Sequence, residues 1–248
     1  MAKREVERRD ERSAFVLHTW PYKETSLIVE AFAEHEGRVA MVARGAKRPR
    51  SELHGLLQAF QPVALSWSGA GELKTLIRAE WRGGMPLPSG SALLCGFYLN
   101  ELVLKLLPRE DPHPKLYAIY HDALAELAGG AEQAPVLRRF ELALLGELGY
   151  ALQLATETDT GAPVDPDARY HYAFDRGAQR GAPPPGVRWP MVRGATLVAL
   201  AQGRFDDAPT AAEAKRLMRE VIDHHLDTRT IQSRKVVRDL WALEEETP

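Results

Sequence analysis

Two prolines two residues apart, Pro86 and Pro88, divide the chain into parts of different character. Proline fits neither a helix interior nor a central strand, so no regular element is expected to continue through this point. Residues 14–84 have the pattern of short strands, and residues 85–248 have mainly the pattern of helices. The sequence therefore predicts an α+β protein with two domains, preceded by a flexible lead-in at residues 1–13.

Five segments before the prolines are rich in branched and aromatic residues, and several alternate between apolar and polar positions. The predicted strands are Ala14–Trp20, Thr25–Glu34, Gly37–Arg44, Phe60–Trp67 and Leu73–Trp81. Turn signals at residues 36–37 and 68–71 predict hairpins, and residues 51–57 predict a short helix or turn after the third strand. This layout indicates a small closed barrel of the OB type, whose open face commonly binds nucleic acid, although other small barrels fit the same pattern.

Helical periodicity follows the prolines. Ser89 or Ser91 is predicted to cap a helix that ends at Leu107. Further helices are predicted at residues 114–127, 135–149, 210–226 and 233–243. An irregular insert at residues 155–193 interrupts them, and the alternation of Tyr170, Tyr172 and Phe174 within it predicts a short hairpin. The second domain is therefore predicted to be a helical bundle with an irregular insert.

A basic segment lies at the end of the third predicted strand, in a chain whose formal net charge is only −2. Its cations are Arg38, Arg44, Lys47, Arg48 and Arg50, and no acidic residue lies among them. A guanidinium group can pair with two phosphate oxygens at once, so such a strand-to-loop edge suits a polyanion. A solvated charge run on a loop is the alternative interpretation.

Two other groups of cations are candidates for the same role. Lys74 and Arg78 are four residues apart, so a regular strand places them on one face, where they would extend the basic surface. The second group lies near the C-terminal end of the sequence and consists of Arg229, Arg234, Lys235 and Arg238. The spacing of Arg234 and Arg238 also fits a solvated helix face.

Three aromatic residues of the barrel, Trp20, Tyr22 and Trp67, are candidates for stacking on bases. Each can equally belong to the core of a small barrel. The residue pattern alone does not decide between these two roles.

The sequence contains little that supports catalysis. It has no phosphate-binding loop of the GxxxxGK type and no nucleophile elbow, and Cys95, the one cysteine, falls in an apolar helix where a thiol is usually inert. A single cysteine excludes an internal disulfide and a multi-cysteine metal cage. Adjacent histidines on a helix, such as His224 and His225, do not face one ion. These features predict a non-catalytic protein with no cofactor and no metal.

The sequence also predicts a cytoplasmic protein. No apolar run approaches the roughly 20 residues that span a bilayer, so no membrane contact is expected. The opening residues mix both charge signs without an apolar stretch, unlike a signal peptide.

Several segments resemble the RecO recombination mediator proteins of bacteria. The stretch FVLHTWPYKETSLIVEAFAEHEGRVAMVARGAKRPRS is similar to the first barrel strands and basic loop of that family. The segments Phe97–Leu102, Gly161–Tyr172 and Ser233–Lys235 also fit, and LRRFELALLGELGY at Leu137–Tyr150 closely resembles the family's central helix. The resemblance covers nearly the whole chain.

The resemblance implies an OB-fold followed by a helical bundle that binds single-stranded and double-stranded DNA and anneals complementary strands. It further implies action with RecR to load RecA onto strands coated with single-stranded DNA-binding protein, in the nucleoid of a bacterial cytoplasm. A groove of the helical domain would receive the acidic, aromatic-ended C-terminal tail of single-stranded DNA-binding protein. Its residues here would be Leu137, Arg138, Arg139 and Phe140. The competing interpretation is a helical interaction scaffold whose barrel binds protein.

One departure from the family is clear. Many members of the family that this chain resembles carry a four-cysteine zinc site within the insert. This chain has no cysteine from Ala155 onward. A zinc ion is therefore not expected to be held in that way here.

Overall fold

The computed structural model describes residues 8–205, 207–226 and 230–236. Its N-terminal part is a closed barrel with the strand order β1-β2-β3-β5-β4. The strands are β1 (Arg8–Tyr22), β2 (Ser26–Ala33), β3 (Gly37–Ala43), β4 (Pro62–Ser68) and β5 (Leu73–Trp81), and a short helix, α1 (Leu53–Leu56), follows β3. All neighbours are antiparallel except β3 and β5, whose parallel pairing helps to close the barrel. The predicted five-stranded OB barrel is confirmed.

The first strand is longer than predicted. It begins at Arg8, and its first residues pair with β4, from Arg8 opposite Ser68 to Ser13 opposite Ala64. Residues 8–13 therefore belong to the barrel and not to a flexible lead-in. Their mixed charges concealed the strand, because an edge exposed to solvent does not require apolar alternation.

The inside of the barrel is filled by apolar side chains, among them Val16, Val29, Met41, Leu65 and Trp67. These side chains make the barrel a packed core rather than a channel. Trp67 is only 3% exposed and lies in this core, which settles its role among the three candidate stacking residues.

A β-bulge at Leu17 changes the face that β1 presents. Val16 pairs with Ala31 and His18 pairs with Glu30, so Leu17 is an extra residue on β1. Ala14 and Val16, before the bulge, point into the barrel. Because one inserted residue reverses the alternation, the even-numbered residues after the bulge point outward.

Two helices cover part of the outer surface of β1 and β2. They are α2 (Ser91–Leu106) and α3 (Pro114–Ala128). Phe15 and Phe32 lie against the rings of Tyr117 and Tyr120, with centroids 5.2 to 5.9 Å apart. The predicted serine cap of α2 is wrong, because Gly90 is the N-cap residue and no side chain bonds there.

The chain forms two compact units. The first contains described residues 8–131 and 231–236, and the second lies within residues 132–230. Helices α2 and α3 thus belong with the barrel, whereas the predicted division at residue 85 separates strands from helices.

The second unit contains α4 (Gln133–Glu147), a three-stranded sheet, α5 (Gly194–Gln202) and α6 (Ala208–His225). The sheet has the order β7-β6-β8, with β6 (Arg169–Ala173), β7 (Gly177–Arg180) and β8 (Met191–Arg193). The hairpin predicted in the insert is β6 and β7. Strand β8 and α5 were not predicted, because β8 is only three residues long and α5 lacks a polar face that would show helical periodicity.

Candidate nucleic-acid interface

The basic loop at residues 44–50 is fixed to the barrel by its backbone and by one buried side chain. The Lys47 N–H donates to the carbonyl of Thr25 at 2.9 Å, and the Arg48 N–H donates to the carbonyl of Gly45 at 3.0 Å. Ala46 is fully buried in the barrel core. The loop is therefore anchored to the turn between β1 and β2, which gives its cations a defined position.

Four of the predicted DNA contacts are exposed on this loop. They are Arg44, Lys47, Arg48 and Arg50. None of the four forms an ion pair with another described residue. Their positive charge is consequently not cancelled locally, and it is available to phosphate groups.

Other arginines of the barrel, some exposed and some half-buried, have carboxylate neighbours. Arg8 lies 2.8 Å from Asp10, Arg12 lies 2.9 Å from Glu36, and Arg82 lies 3.7 Å from Glu11. Arg78 is exposed as predicted, but it pairs with Glu80 on the same strand. These pairs reduce the local positive potential, so the four loop cations form the strongest candidate phosphate-binding surface on the barrel.

The structure corrects the prediction that Arg38 and Lys74 belong to the exposed basic surface. The Arg38 side chain is 17% exposed, and its Nη1 lies 3.1 Å from Oε1 of the buried Glu30. The Lys74 side chain is 7% exposed, and its Nζ lies 2.7 Å from Glu110. Both cations are used in internal ion pairs and are not presented to a ligand.

A second β-bulge explains why Lys74 and Arg78 do not share a face. Trp67 pairs with Leu76 and Ser66 pairs with Arg78, so Ile77 is an extra residue on β5. The insertion reverses the alternation between the two cations. Lys74 is therefore buried while Arg78 points to solvent.

The buried carboxylate of Glu30 also binds the loop between α2 and α3. Arg109 donates from Nε to Oε1 at 3.0 Å and from Nη2 to Oε2 at 2.8 Å. The hydrogen bonds to Glu30 raise the pKa of Arg109. In the same loop, the Glu110 N–H donates to the carbonyl of Arg38 at 2.9 Å. The loop is thus attached to β2 and β3 by charge and by backbone contacts.

The predicted C-terminal basic cluster is only partly described. Arg229 and Arg238 lie outside the described residues. Lys235 is exposed, but the guanidinium of Arg234 donates to the Tyr98 hydroxyl at 3.1 Å and lies 5.4 Å from the centre of its ring. Arg234 therefore attaches this segment to α2.

The segment with Arg234 is held by a carboxylate of α2. Glu101 accepts from the backbone N–H groups of Gln232 and Ser233, both at 2.7 Å. Burial acts to raise the pKa of Glu101, but these N–H donors, the Ser233 hydroxyl and Lys105 together hold it below its usual value. The charged form of Glu101 therefore stabilises the start of the helical residues 232–236.

The predicted tail-binding residues of α4 divide into internal and exposed positions. Phe140 is fully buried, and Arg138 is 7% exposed and forms an ion pair with the buried Glu141. Leu137 is half-buried. Arg139 is exposed, and its aliphatic carbons lie close to Gly203, where an added Cβ would be 3.6 Å from Cγ. Only Arg139 is an accessible charge, so the prediction is corrected for Arg138 and Phe140.

The insert is held together by a carboxylate where the resemblance would imply zinc. Oε1 of Glu157 accepts from the Tyr170 hydroxyl and from Arg180 Nε, both at 2.9 Å, and Oε2 accepts from Thr160 at 2.8 Å. The Tyr170 hydroxyl also accepts from the Asp165 N–H at 2.9 Å. The residues of this insert do not fit a four-thiolate zinc site. A single glutamate links loop and strands instead.

The described residues contain no cluster of three or more histidine, cysteine, aspartate or glutamate side chains that would hold a metal ion. His224 and His225 stack on different rings, Phe174 at 4.7 Å and Tyr150 at 4.1 Å. None of the helices in the described ranges is long and apolar enough to cross a lipid bilayer.

The fold and the basic loop define a class of protein, an α+β protein whose closed OB barrel carries an exposed cationic loop. Sequence comparison then gives the family. The family model described as Recombination protein O N terminal matches residues 9–85, and the one described as Recombination protein O C terminal matches residues 87–235. The chain belongs to the RecO family.

Curated relatives match nearly the whole chain. The chain is 52% identical over 241 residues to the DNA repair protein RecO of Azoarcus sp. strain BH72. The aligned residues cover 96% of this chain and 98% of the relative. It is 51% identical to the protein of the same name from Aromatoleum aromaticum, with the same coverage of both chains. The corresponding protein of Nitrosospira multiformis is 45% identical, again with 96% and 98% covered.

Proposed function

We propose that the protein acts in DNA repair as a non-catalytic mediator that binds single-stranded and double-stranded DNA and anneals complementary strands. The observation that carries this proposal is the set of four exposed loop cations without ion pairs among the described residues. Annealing needs two polyanions to be screened and held together, and no covalent bond has to change. An exposed cationic loop on a barrel can supply this screening without a catalytic residue.

A partner site in the second unit is part of the same proposal. A shallow cavity of about 230 Å³ is lined by Pro166, Ala195, Val198, Ala199, Gln202, Arg204, Asp207 and Thr210. Gly203 lies between Gln202 and Arg204 in the sequence, and the Arg139 side chain is beside it. Half of this lining is apolar, and Arg204 lies in it with Arg139 close by, a combination that suits a peptide that ends in an aromatic residue and a carboxylate. We assign this surface to the C-terminal tail of single-stranded DNA-binding protein.

The roles of RecR and RecA rest on family membership. We propose that the protein cooperates with RecR to load RecA on strands coated with single-stranded DNA-binding protein. Copurification with RecR, and RecA filament formation on coated strands, are the measurements that test this part.

DNA binding is tested by salt titration. Neutralising Arg44, Lys47, Arg48 and Arg50 together should flatten the slope of log K against log salt by about 0.7 for each lost phosphate contact with a single strand. Fluorescence anisotropy with a labelled oligonucleotide measures the slope. An unchanged slope in a folded variant would remove the loop from the site.

The matched control is neutralisation of Arg8 and Arg82, which are exposed but lie beside carboxylates. Its salt slope should stay within error of the parent protein. Absence of DNA binding by the parent protein at low salt would contradict the proposed function and would favour a barrel that binds protein.

A further inference from the structure

The outer face of β1 carries three rings in a row. They belong to His18, Trp20 and Tyr22, which follow the Leu17 bulge and point away from the barrel interior. The His18 and Trp20 rings lie 4.5 Å apart at an interplanar angle of 64°. Residues that alternate along a strand are about 6.7 Å apart, a spacing that lets each ring meet a separate base of an extended strand.

These rings are not part of the core. Trp20 is 40% exposed, and His18 is also exposed. The Trp20 indole N–H makes no hydrogen bond to any residue that the structure describes. The Trp20 side chain therefore presents a flat apolar surface to water, with an indole N–H that a ligand could use, beside the His18 ring.

The row of rings ends at the basic loop. Tyr22 pairs with Ser26, and the carbonyl of the neighbouring Thr25 accepts the Lys47 N–H at 2.9 Å. Lys23, in the same turn, is exposed and places Nζ 5.3 Å from the centre of the Tyr22 ring. Arg44 directly follows Ala43, which pairs with Leu27 on β2. Cations for phosphates and rings for bases are therefore adjacent on one surface.

We propose that His18, Trp20 and Tyr22 form a stacking track for the unpaired bases of single-stranded DNA, with the loop cations and Lys23 binding the phosphates beside it. This inference rests on the proposed DNA binding and adds a preference to it. Unpaired bases expose their faces, whereas bases in a duplex are stacked on one another and do not reach the rings. The track thus selects single strands, while the loop cations bind both forms.

The test compares a thymidine oligonucleotide with an abasic oligonucleotide of the same length and phosphate number. Trp20→Ala should weaken binding of the thymidine strand about tenfold and leave binding of the abasic strand unchanged, since stacking on one ring contributes about that factor. Anisotropy titrations at one salt concentration measure both. Tyr22→Ala provides a second variant should Trp20→Ala fail to fold.

The matched control is Trp81→Ala, because Trp81 is 59% exposed at the far end of β5 and bonds to Gln61. It should bind both strands like the parent protein. Equal affinity of the parent protein for thymidine and abasic strands would overturn the stacking track and leave the proposed DNA binding intact. Loss of binding to both strands in the Trp20 variant would also overturn it. A parent protein that binds neither strand would contradict the proposed function itself.

Discussion

Arg109 approaches the buried carboxylate of Glu30 with two nitrogens, Nε at 3.0 Å and Nη2 at 2.8 Å. Glu30 is completely buried, while the Arg109 side chain remains 42% exposed. Glu30 also pairs with Arg38, so one carboxylate joins the third strand of the barrel and the loop between α2 and α3. The ion pair with Glu30 explains why the Arg38 side chain is held inside the protein and is not presented to a ligand.

Glu30→Ala should therefore destabilise the protein by about 3 kcal/mol, because removal of the acid leaves Arg38 buried without its main counter-charge. Chemical denaturation followed by circular dichroism measures the free energy of unfolding. Glu24→Ala, at an exposed position of the turn after β1, is the matched control and should change stability by less than about 0.5 kcal/mol. Equal stabilities of the two variants would show that the network contributes little.

Gly37→Ala tests the contact between the barrel and the loop that joins α2 to α3. Gly37 has a φ of +69°, and a Cβ there would lie 2.0 Å from the backbone oxygen of Asp111. We expect a loss of more than about 2 kcal/mol, since the left-handed backbone alone costs an alanine about 1–2 kcal/mol. Gly161→Ala has a similar φ of +70° and meets nothing within 4 Å, so it isolates the backbone effect. Equal losses at the two positions would contradict the close approach.

Arg139→Glu should weaken binding of a tail peptide from single-stranded DNA-binding protein at least about tenfold, because it replaces an attraction with a repulsion. Thermal stability should change little, because ion pairs of exposed side chains contribute only about 0–1 kcal/mol. Isothermal titration calorimetry with the peptide measures the affinity. Arg219→Glu is the control, because Arg219 is exposed on α6 with a side chain 63% accessible. Normal peptide binding by Arg139→Glu would place the tail elsewhere.

Arg138→Glu should behave differently from its neighbour. It would bury two like charges, because Arg138 lies against Glu141. We expect a loss of stability of about 3–5 kcal/mol, measured by denaturation. A stable Arg138→Glu protein that loses only peptide binding would return Arg138 to the partner surface.

The insert should lose stability in acid. Hydrogen bonds from Arg180, Thr160 and Tyr170 hold the pKa of Glu157 below its usual value. A lowered folded-state pKa means that the stabilisation is fully present above the ordinary glutamate pKa of about 4.3 and is lost as the pH falls through the folded-state value. Hydrogen exchange of β6 and β7 amides measures the effect. Glu157→Gln should remove this part of the pH dependence, and chelators should leave it unchanged.

The sequence predicts the kind of each element better than the direction of each side chain. Alternation identified the barrel strands, and the prolines located the change to helices. Two inserted residues, Leu17 and Ile77, reverse the alternation within β1 and β5. Nothing in the local sequence marks these bulges, so neither the exposure of Trp20 nor the burial of Lys74 was predictable from spacing.

The acidic partner of each buried cation explains the other differences. Arg38 and Arg44 look equivalent in the sequence, but only Arg38 lies within reach of Glu30. Arg138 and Arg139 are adjacent, yet one faces Glu141 and the other faces solvent. The basic loop was predictable because its four cations lie within residues 44–50, and Gly45 and Pro49 among them indicate a turn, which is usually exposed. The buried ion pairs were not predictable because their acids are distant in the sequence or on a helix face of unknown orientation.

The first compact unit is discontinuous in sequence, because residues 231–236 return to α2 after the second unit has been completed. During synthesis from the N-terminus, residues 132–230 leave the ribosome before Gln232 and Ser233 can reach Glu101. The barrel and its two helices therefore gain the contacts between Glu101 and residues 232–233 only after the second unit has been synthesised. A chain released by the ribosome before that point has a first unit in which Glu101 lacks these two N–H donors.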